Sequence, residues 1–292
     1  MKKKIVFIIN PRAGVDRVKA IEGAVMRYID QSVYDPRFVY TARPHHGIEL
    51  AREAAENGAE VVVAVGGDGS INDVVQGIFG TDTALGIIPL GSGNGLARSV
   101  GIPLNLKAAV LLLNKQNIHA IDVGQVDGKH FFVSNAGVGF DAVVTDEFRH
   151  SRKRGFWSYI QIINRYVWKY KAQDWDLIID GQVKRERAFM ITVANATQLG
   201  YNFMIAPLAK LNDGVFEIVV IRRFPKVLAP IIGMQAFTES LLKNRYVKHY
   251  RARNVQIINA NNKVMQMDGE SIDCGNSISI CLHEKSVRLL CP

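Results

Sequence analysis

Residues Val61–Asn72 read VVVAVGGDGSIN, and this stretch constrains the rest of the chain more than any other. Val61–Val65 is an apolar run of strand length. Gly66, Gly67 and Gly69 then surround Asp68, and an apolar pattern of helical period follows at Ile71, Val74, Val75 and Ile78. A strand, a glycine turn and a helix in immediate succession bare backbone N–H groups at a helix N-terminus, where the helix dipole favours an anion. Glycine lets the backbone come close to such a ligand and tolerates positive φ. An acid among anion-binding amides makes chemical sense when a divalent cation lies between it and a phosphate. The turn is not G-x-G-x-x-G, because Asn72 stands at the third glycine position. No G-x-x-x-x-G-K-[ST] occurs in the chain, so both common nucleotide loops are absent.

The residues around this stretch repeat its pattern. Ile5–Ile9, Phe38–Thr41, Ala84–Ile88 and Ile118–Val123 read as strands, and Lys19–Ile29, Ile48–Glu56, Gly93–Ser99 and Leu106–Leu113 as helices. Alternating β and α at short intervals predicts a parallel, doubly wound sheet with helices on both faces. Ligands of such sheets bind beyond the carboxyl ends of the strands. Asn10, Thr41, Gly66–Ser70 and Gly91–Asn94 all fall there.

After about Val126 the texture changes. Phe131–Ala136, Asp174–Ile179, Val183–Val193, Val215–Arg222, Val255–Ile258, Val264–Met267, Ser277–Leu282 and Val287–Leu290 read as strands, with Asp180-Gly181 as a hairpin turn. Helical insertions interrupt them at Gly155–Lys171 and Lys226–Lys243. The expectation is an α/β domain over 1–125 and an antiparallel β-sandwich domain over 126–292, whose last residues are free to return to the first. At 292 residues the chain can bury two cores. Its formal net charge of +9 favours an acidic partner, namely a nucleotide, an anionic membrane surface or a nucleic acid.

Cys274, Cys281 and Cys291 form no C-x-x-C pair, so reduced thiols of a cytoplasmic protein are expected. The apolar run after Lys2-Lys3-Lys4 is too short for a signal peptide, and no run is long enough to cross a bilayer. The seven histidines show no metal-ligand spacing.

A second glycine stretch, Leu90–Arg98, reads LGSGNGLAR. Its amides and the Ser92 hydroxyl can bond phosphate oxygens, and Asn94 can cap the following helix. With Asn10-Pro11 and Gly14, GGDGS at Gly66–Ser70 and PLGSGNGLAR at Pro89–Arg98, the chain resembles the diacylglycerol kinase catalytic domain family, which includes bacterial lipid kinases and the sphingosine and ceramide kinases. Asn212-Asp213-Gly214 and Met267-Asp268-Gly269-Glu270 carry the resemblance into the second half.

The resemblance implies an NAD-kinase-like fold and an ATP- and Mg²⁺-dependent kinase that phosphorylates a lipid hydroxyl. It implies ATP in a cleft between the domains, held by Asn10, Thr41, Gly66, Gly67, Asp68, Gly69, Ser70, Asn72, Gly91, Ser92 and Asn94. Asp68 and Asp122 would belong to a Mg²⁺-linked acidic network. Asp213, with the carbonyls of Lys210 and Val215, would hold a structural Mg²⁺. The D-G-E segment would supply the base, and Asp268 and Glu270 are both candidates. Two residues apart on a strand would share a face.

Gly95 stands where many bacterial diacylglycerol kinases carry Asp, closer to the small residue of sphingoid-type kinases. The acceptor is therefore open between diacylglycerol-like and sphingoid lipids. In Phe148–Trp175, Phe156, Trp157, Tyr159, Tyr166, Trp168 and Tyr170 interleave with Arg149, Arg152, Lys153, Arg154, Arg165, Lys169 and Lys171. That mixture suits a peripheral membrane surface, and no nucleic-acid module surrounds it. A soluble NAD- or sugar-phosphate-type kinase shares GGDG and is the first alternative. A non-catalytic nucleotide- or lipid-binding regulator is the second. The oligomeric state is open.

Overall fold

The computed structural model describes residues 2–13, 18, 20–151 and 155–292; of the expected features, Gly14, Lys19, Arg152, Lys153, Arg154 and the Phe156 side chain lie outside the described residues. The chain divides into two compact units, Met1–Asp122 with Glu284–Pro292 and Val123–His283. Their architectures are the expected ones, an α/β unit and a β-sandwich unit.

In the first unit, β1 (Lys3–Ile9), β2 (Tyr34–Tyr40), β3 (Val61–Gly66) and β4 (Ala84–Pro89) run parallel in the order β2-β1-β3-β4. Every residue of β3 and β4 is buried, which is why both read as unbroken apolar runs rather than alternating ones. On one face, Ile5, Phe7, Ile9, Val61, Val63 and Val65 pack with Ile21 and Val25 of helix Ile21–Tyr28 and Val110 and Leu113 of helix Leu106–Leu113. Helices His46–Glu56 and Asp68–Ile78 bury Ala51, Ala54, Ile71, Val74, Val75 and Ile78. These two helices touch so closely that a Cβ on Gly77 would lie 2.5 Å from the Cβ of Ala51.

The second unit holds the rest of β5 (Ile118–Val126), which begins in the first unit. It also holds β6 (His130–Phe132), β7 (Asn135–Gly139), β8 (Gln173–Ile179), β9 (Gln182–Ala194), β10 (Phe216–Arg222), β11 (Val247–Ala252), β12 (Asn254–Ile258), β13 (Val264–Met267), β14 (Glu270–Asp273) and the first part of β15 (Ser277–Leu290). The described pairings within this unit are antiparallel.

Strand β10 shows how the unit is layered. Phe216, Ile218 and Val220 point into the sandwich core with Phe132, Trp175, Ile191, Ile257 and Met265. The alternate residues Val219 and Ile221 belong to a second core, where Phe140, Val144, Val167, Ile232 and Ala236 come from helices Phe140–His150, Phe156–Val167 and Ala229–Phe237. Strand alternation therefore feeds two apolar layers from one element.

Several boundaries differ from the expected ones for identifiable reasons. The expected strand Phe131–Ala136 is two strands, because Val133, Ser134 and Asn135 turn their N–H groups to the Asp268 carboxylate. Ser277–Leu282 and Val287–Leu290 are parts of one strand, β15, which pairs antiparallel with β12 and, further on, parallel with β4. Helix Phe140–His150, with Phe140, Val144 and Phe148 spaced four apart, and strand β11, which lacks strand alternation, go beyond the elements expected from the sequence. Asp180-Gly181 is a hairpin turn with φ of 44° and 82°, the positive values a two-residue turn of this kind needs. No described helix is long and apolar enough to cross a membrane.

Gly124 of β5 faces the Phe132 ring so closely that any Cβ would overlap it, and Phe132 stacks on Phe216 with ring centroids 5.4 Å apart. Gly124→Ala is expected to destabilise the second unit by about 1–3 kcal/mol through overpacking. Phe132→Leu in the same chain should recover part of that loss. Urea-unfolding midpoints of the single and double variants check both.

Candidate active site

Four strand ends of the first unit finish in register. Ile9 lies opposite Tyr40 and Val65, and Gly66 lies opposite Pro89. The residues that follow, Asn10, Thr41, Gly67 and Leu90, therefore share one edge of the sheet. Backbone bonds pin them there: Asn10 N–H donates to Val65 O, Thr41 N–H to Ile9 O, and Leu90 and Gly91 N–H both to Gly66 O. The Asn10 side chain donates to Ser70 Oγ at 3.4 Å and accepts from Arg12 N–H at 3.0 Å.

Gly67 and Gly91 meet backbone to backbone. A Cβ on Gly91 would lie 2.6 Å from Gly67 Cα, and one on Gly67 would lie 3.2 Å from Gly91 Cα. A Cβ on Gly66 would collide with the Ser70 hydroxyl. The glycines are thus required by the mutual approach of the two turns, which leaves the amide-rich start of helix Asp68–Ile78 beside the loop Leu90–Asn94.

Asn94 corrects one expectation. It does not cap helix Gly95–Ser99; it takes a left-handed conformation, φ 50°, and its Nδ2 donates to Gly91 O at 2.7 Å. The Asp68 Oδ1 instead accepts the Leu96 N–H of that helix at 3.3 Å. Asp68 thus ties the two glycine turns together. The Asn94 Oδ1 is buried with no hydrogen-bond partner, an acceptor that a ligand hydroxyl, amine or cation would complete.

Gly69 and Ser70 lie in the first turn of helix Asp68–Ile78, half-buried. Asn72, one turn on, is buried and accepts from Gln76. Ser92 is exposed in its loop. Asp122 is not at a strand end: β5 continues to Val126, and the fully buried carboxylate accepts the Lys285 N–H at 2.8 Å. Asp68 and Asp122 therefore bond to different backbone amides. His45 and His46 serve the backbone and a neighbouring helix: His46 Nδ1 accepts from Ala42 N–H, and His45 Nδ1 lies 3.0 Å from Asp73 Oδ1.

In the second unit, Asp268 and Gly269 are the central residues of the β13–β14 hairpin, with φ of 47° and 82°. Asp268 and Glu270 consequently do not share a strand face, contrary to expectation. Asp268 is buried; its Oδ2 accepts Val133 N–H at 2.8 Å, and its Oδ1 accepts Ser134 and Asn135 N–H at 2.8 and 3.0 Å. Glu270 is exposed. Gln266 carries the network inward, donating to Asn135 Oδ1 at 2.6 Å and to Asp141 Oδ2 at 3.4 Å and accepting from Gly269 N–H. Helix Phe140–His150 is anchored on the same hairpin: Arg149 donates to Ser271 O, and the Ser271 hydroxyl donates to Asp146.

Asp141, Asn135 and Gln266 are the residues that sequence reading missed. Asp141 sits in the first turn of helix Phe140–His150, and its role follows only from contact across more than a hundred residues. Asp213, in the loop before β10, accepts from Arg251 Nη2 at 2.6 Å; Arg251 also lies 3.0 Å from Glu217, which His249 contacts in turn. Lys210 is exposed in the same loop.

Among the described residues no group of three or more His, Cys, Asp or Glu could hold a metal by itself. One carboxylate together with phosphate oxygens is, however, a normal donor set for Mg²⁺, and Asp68 beside the glycine turns fits that arrangement.

A family model for the diacylglycerol kinase catalytic domain matches residues 4–126. One for the YegS C-terminal NAD kinase beta sandwich-like domain matches residues 134–279. A relative from Chromohalobacter salexigens, named "Probable lipid kinase YegS-like", is 33% identical over 61% of this chain, and the match spans 59% of that relative's length. A diacylglycerol kinase of Bacillus subtilis is 26% identical over 92% of this chain and 90% of its own. The crystal structure of a diacylglycerol kinase from Bacillus anthracis superposes with a TM-score of 0.74, covering 99% of this chain and 97% of that one; at 20% identity this is a likeness of fold.

Burial raises the Asp141 carboxyl from 3.8 to about 7, outweighing the Ala142 amide and Gln266 bonds that oppose it. The native state therefore keeps a proton that the unfolded chain has lost, and stability falls as pH rises from about 4 to about 7, by at most about 1.4 kcal/mol per pH unit. Asp141→Asn should lack this slope. Denaturation midpoints of both proteins across that pH range test it, and parallel curves would remove Asp141 as the cause.

Proposed function

The chain belongs to the diacylglycerol kinase family of lipid kinases, and from that premise we propose that it transfers the γ-phosphoryl group of ATP, with Mg²⁺, to a hydroxyl of a diacylglycerol-like or sphingoid lipid. The observation that carries the reading is the convergence of Asn10, Thr41, Gly66–Ser70 and Gly91–Asn94 at one sheet edge, with Gly67 and Gly91 in backbone contact. Such an edge offers amides to anionic oxygens, and the unpartnered Asn94 Oδ1 offers an acceptor beside them.

When bound, Mg²⁺–ATP supplies the phosphoryl group and partly neutralises its charge. In this reading the amides at the start of helix Asp68–Ile78 bind phosphate oxygens. Asn10 and Ser70 orient them. Asp68 holds the cation while its bond to Leu96 keeps the two turns aligned. Placement and charge neutralisation supply most of the acceleration in phosphoryl transfer. The lipid hydroxyl gives its proton to Asp268 or Glu270. Asp268 is the more rigidly oriented of the two, through three amide donors. Asp122 adds a fully buried carboxyl group to the first unit. At Asp213, a structural Mg²⁺ would use the carbonyls of Lys210 and Val215 and the oxygen that Arg251 does not hold. The exposed Trp157 and Trp168 support contact with a membrane surface where the acceptor resides.

Incubation with labelled ATP and mixed micelles of diacylglycerol, sphingoid base, ceramide or phosphatidylglycerol, with NAD in a parallel reaction, identifies the acceptor by the labelled product. Label in a lipid is expected; label only in NAD would replace the reading with a soluble kinase. Asp68→Asn should lower kcat by about 100-fold or more while the fold persists, as losing a preorganised charged group at the transferring phosphate does. Full activity in that variant would rule out the role given to Asp68.

A further inference from the structure

The second helical insertion has an unusual surface. Val227, Ile231, Met234 and Phe237 are 72%, 53%, 69% and 44% exposed. Their spacings of four, three and three place them on one side of the helical segment Lys226–Phe237. The other side, through Leu228, Ile232 and Ala236, packs into the second apolar core. The segment is thus apolar on both sides, and no charged residue occurs between Val227 and Thr238. An exposed apolar stripe of this kind on a folded domain marks a surface that meets something apolar.

The flanks say what that is. Residues 222–253 contain eight Lys and Arg and one acid, Glu239. Lys248 pairs with Glu186, and Arg251 with Asp213 and Glu217. Arg223, Lys243 and Arg245 are exposed and have no acidic partner among the described residues. The Lys226 Nζ, by contrast, is buried 3.8 Å from the centroid of the Phe189 ring and is not one of the cations at the surface. An apolar stripe bordered by uncompensated cations complements an anionic bilayer interface: headgroup phosphates meet the cations, and the acyl boundary meets the stripe.

We propose that the segment Lys226–Phe237, flanked by Arg223, Lys243 and Arg245, is a docking element that holds the protein on an anionic membrane surface. The proposal rests on the lipid-kinase reading only for the presence of a membrane substrate; its physical basis is the stripe and its charged border. Because the four apolar side chains are exposed, their replacement should leave the fold intact.

The test is co-sedimentation of the full chain with vesicles of phosphatidylcholine alone or containing phosphatidylglycerol. Wild-type protein should bind the anionic vesicles and release as salt rises. Ile231→Glu with Met234→Glu should weaken that binding by about tenfold or more, because it removes apolar burial and adds like charge. Lys243→Ala with Arg245→Ala should weaken binding and flatten its salt dependence. Unchanged thermal midpoints guard against unfolding. Undiminished vesicle binding by the Ile231/Met234 variant overturns the proposal. So does a wild-type dimer in sedimentation velocity that this variant dissociates without losing vesicle binding, which would make the stripe a contact between copies. Binding is read without turnover, so failure of the kinase assay leaves this result standing, and the converse holds.

Discussion

A single carboxylate organises the middle of the second unit. Asp268 sits at a hairpin turn, the place where sequence chemistry puts polar residues, yet it is buried and takes the N–H groups of three consecutive residues. Those amides would otherwise belong to a continuous strand. By collecting them, Asp268 separates the end of β6 from the start of β7. A buried amide left unpaired costs about 1–3 kcal/mol, and three together would take a large part of a typical stability margin. Gln266 and Asn135 extend the same network to Asp141, and hairpin, strand and helix become one polar unit inside an apolar sandwich.

The first unit solves a similar problem with glycine instead of a carboxylate. Its central strands β3 and β4 are buried throughout, so their polar features gather at the ends. There the chain brings two turns into contact at Gly67 and Gly91 and fixes their spacing through Asp68 and Leu96. The result is an edge rich in donors, with an orphaned acceptor on Asn94. Rigidity of this kind suits phosphoryl transfer, in which placing groups does most of the work.

Much of this was readable from residue order. Continuous apolar runs marked the buried parallel strands, and Asp180-Gly181 marked a hairpin, because local chemistry decided them. What could not be read was settled by distant partners. Nothing near Phe131–Ala136 hints that a residue more than a hundred positions on breaks the strand. Nothing near Asn94 says that Asp68 will cap the next helix in its place. Strand β11 was hidden because its charged residues Lys248 and Arg251 pair with Glu186 and Glu217, making a basic cluster into part of a sheet. The shared face expected for Asp268 and Glu270 failed for a local reason instead: positive φ at two successive residues reverses the chain between them.

The two-sided burial of β10 carries an implication for how a fold like this can diversify. Two of the helices over Val219 and Ile221 read in sequence as helical insertions, segments that look free to be exchanged. Their inner residues nevertheless complete a hydrophobic layer whose other half is the sheet itself. A chain that traded these helices for others would have to re-match the odd-numbered side chains of β10 or expose them to water. Variation at these inner positions obeys the rules of interior packing.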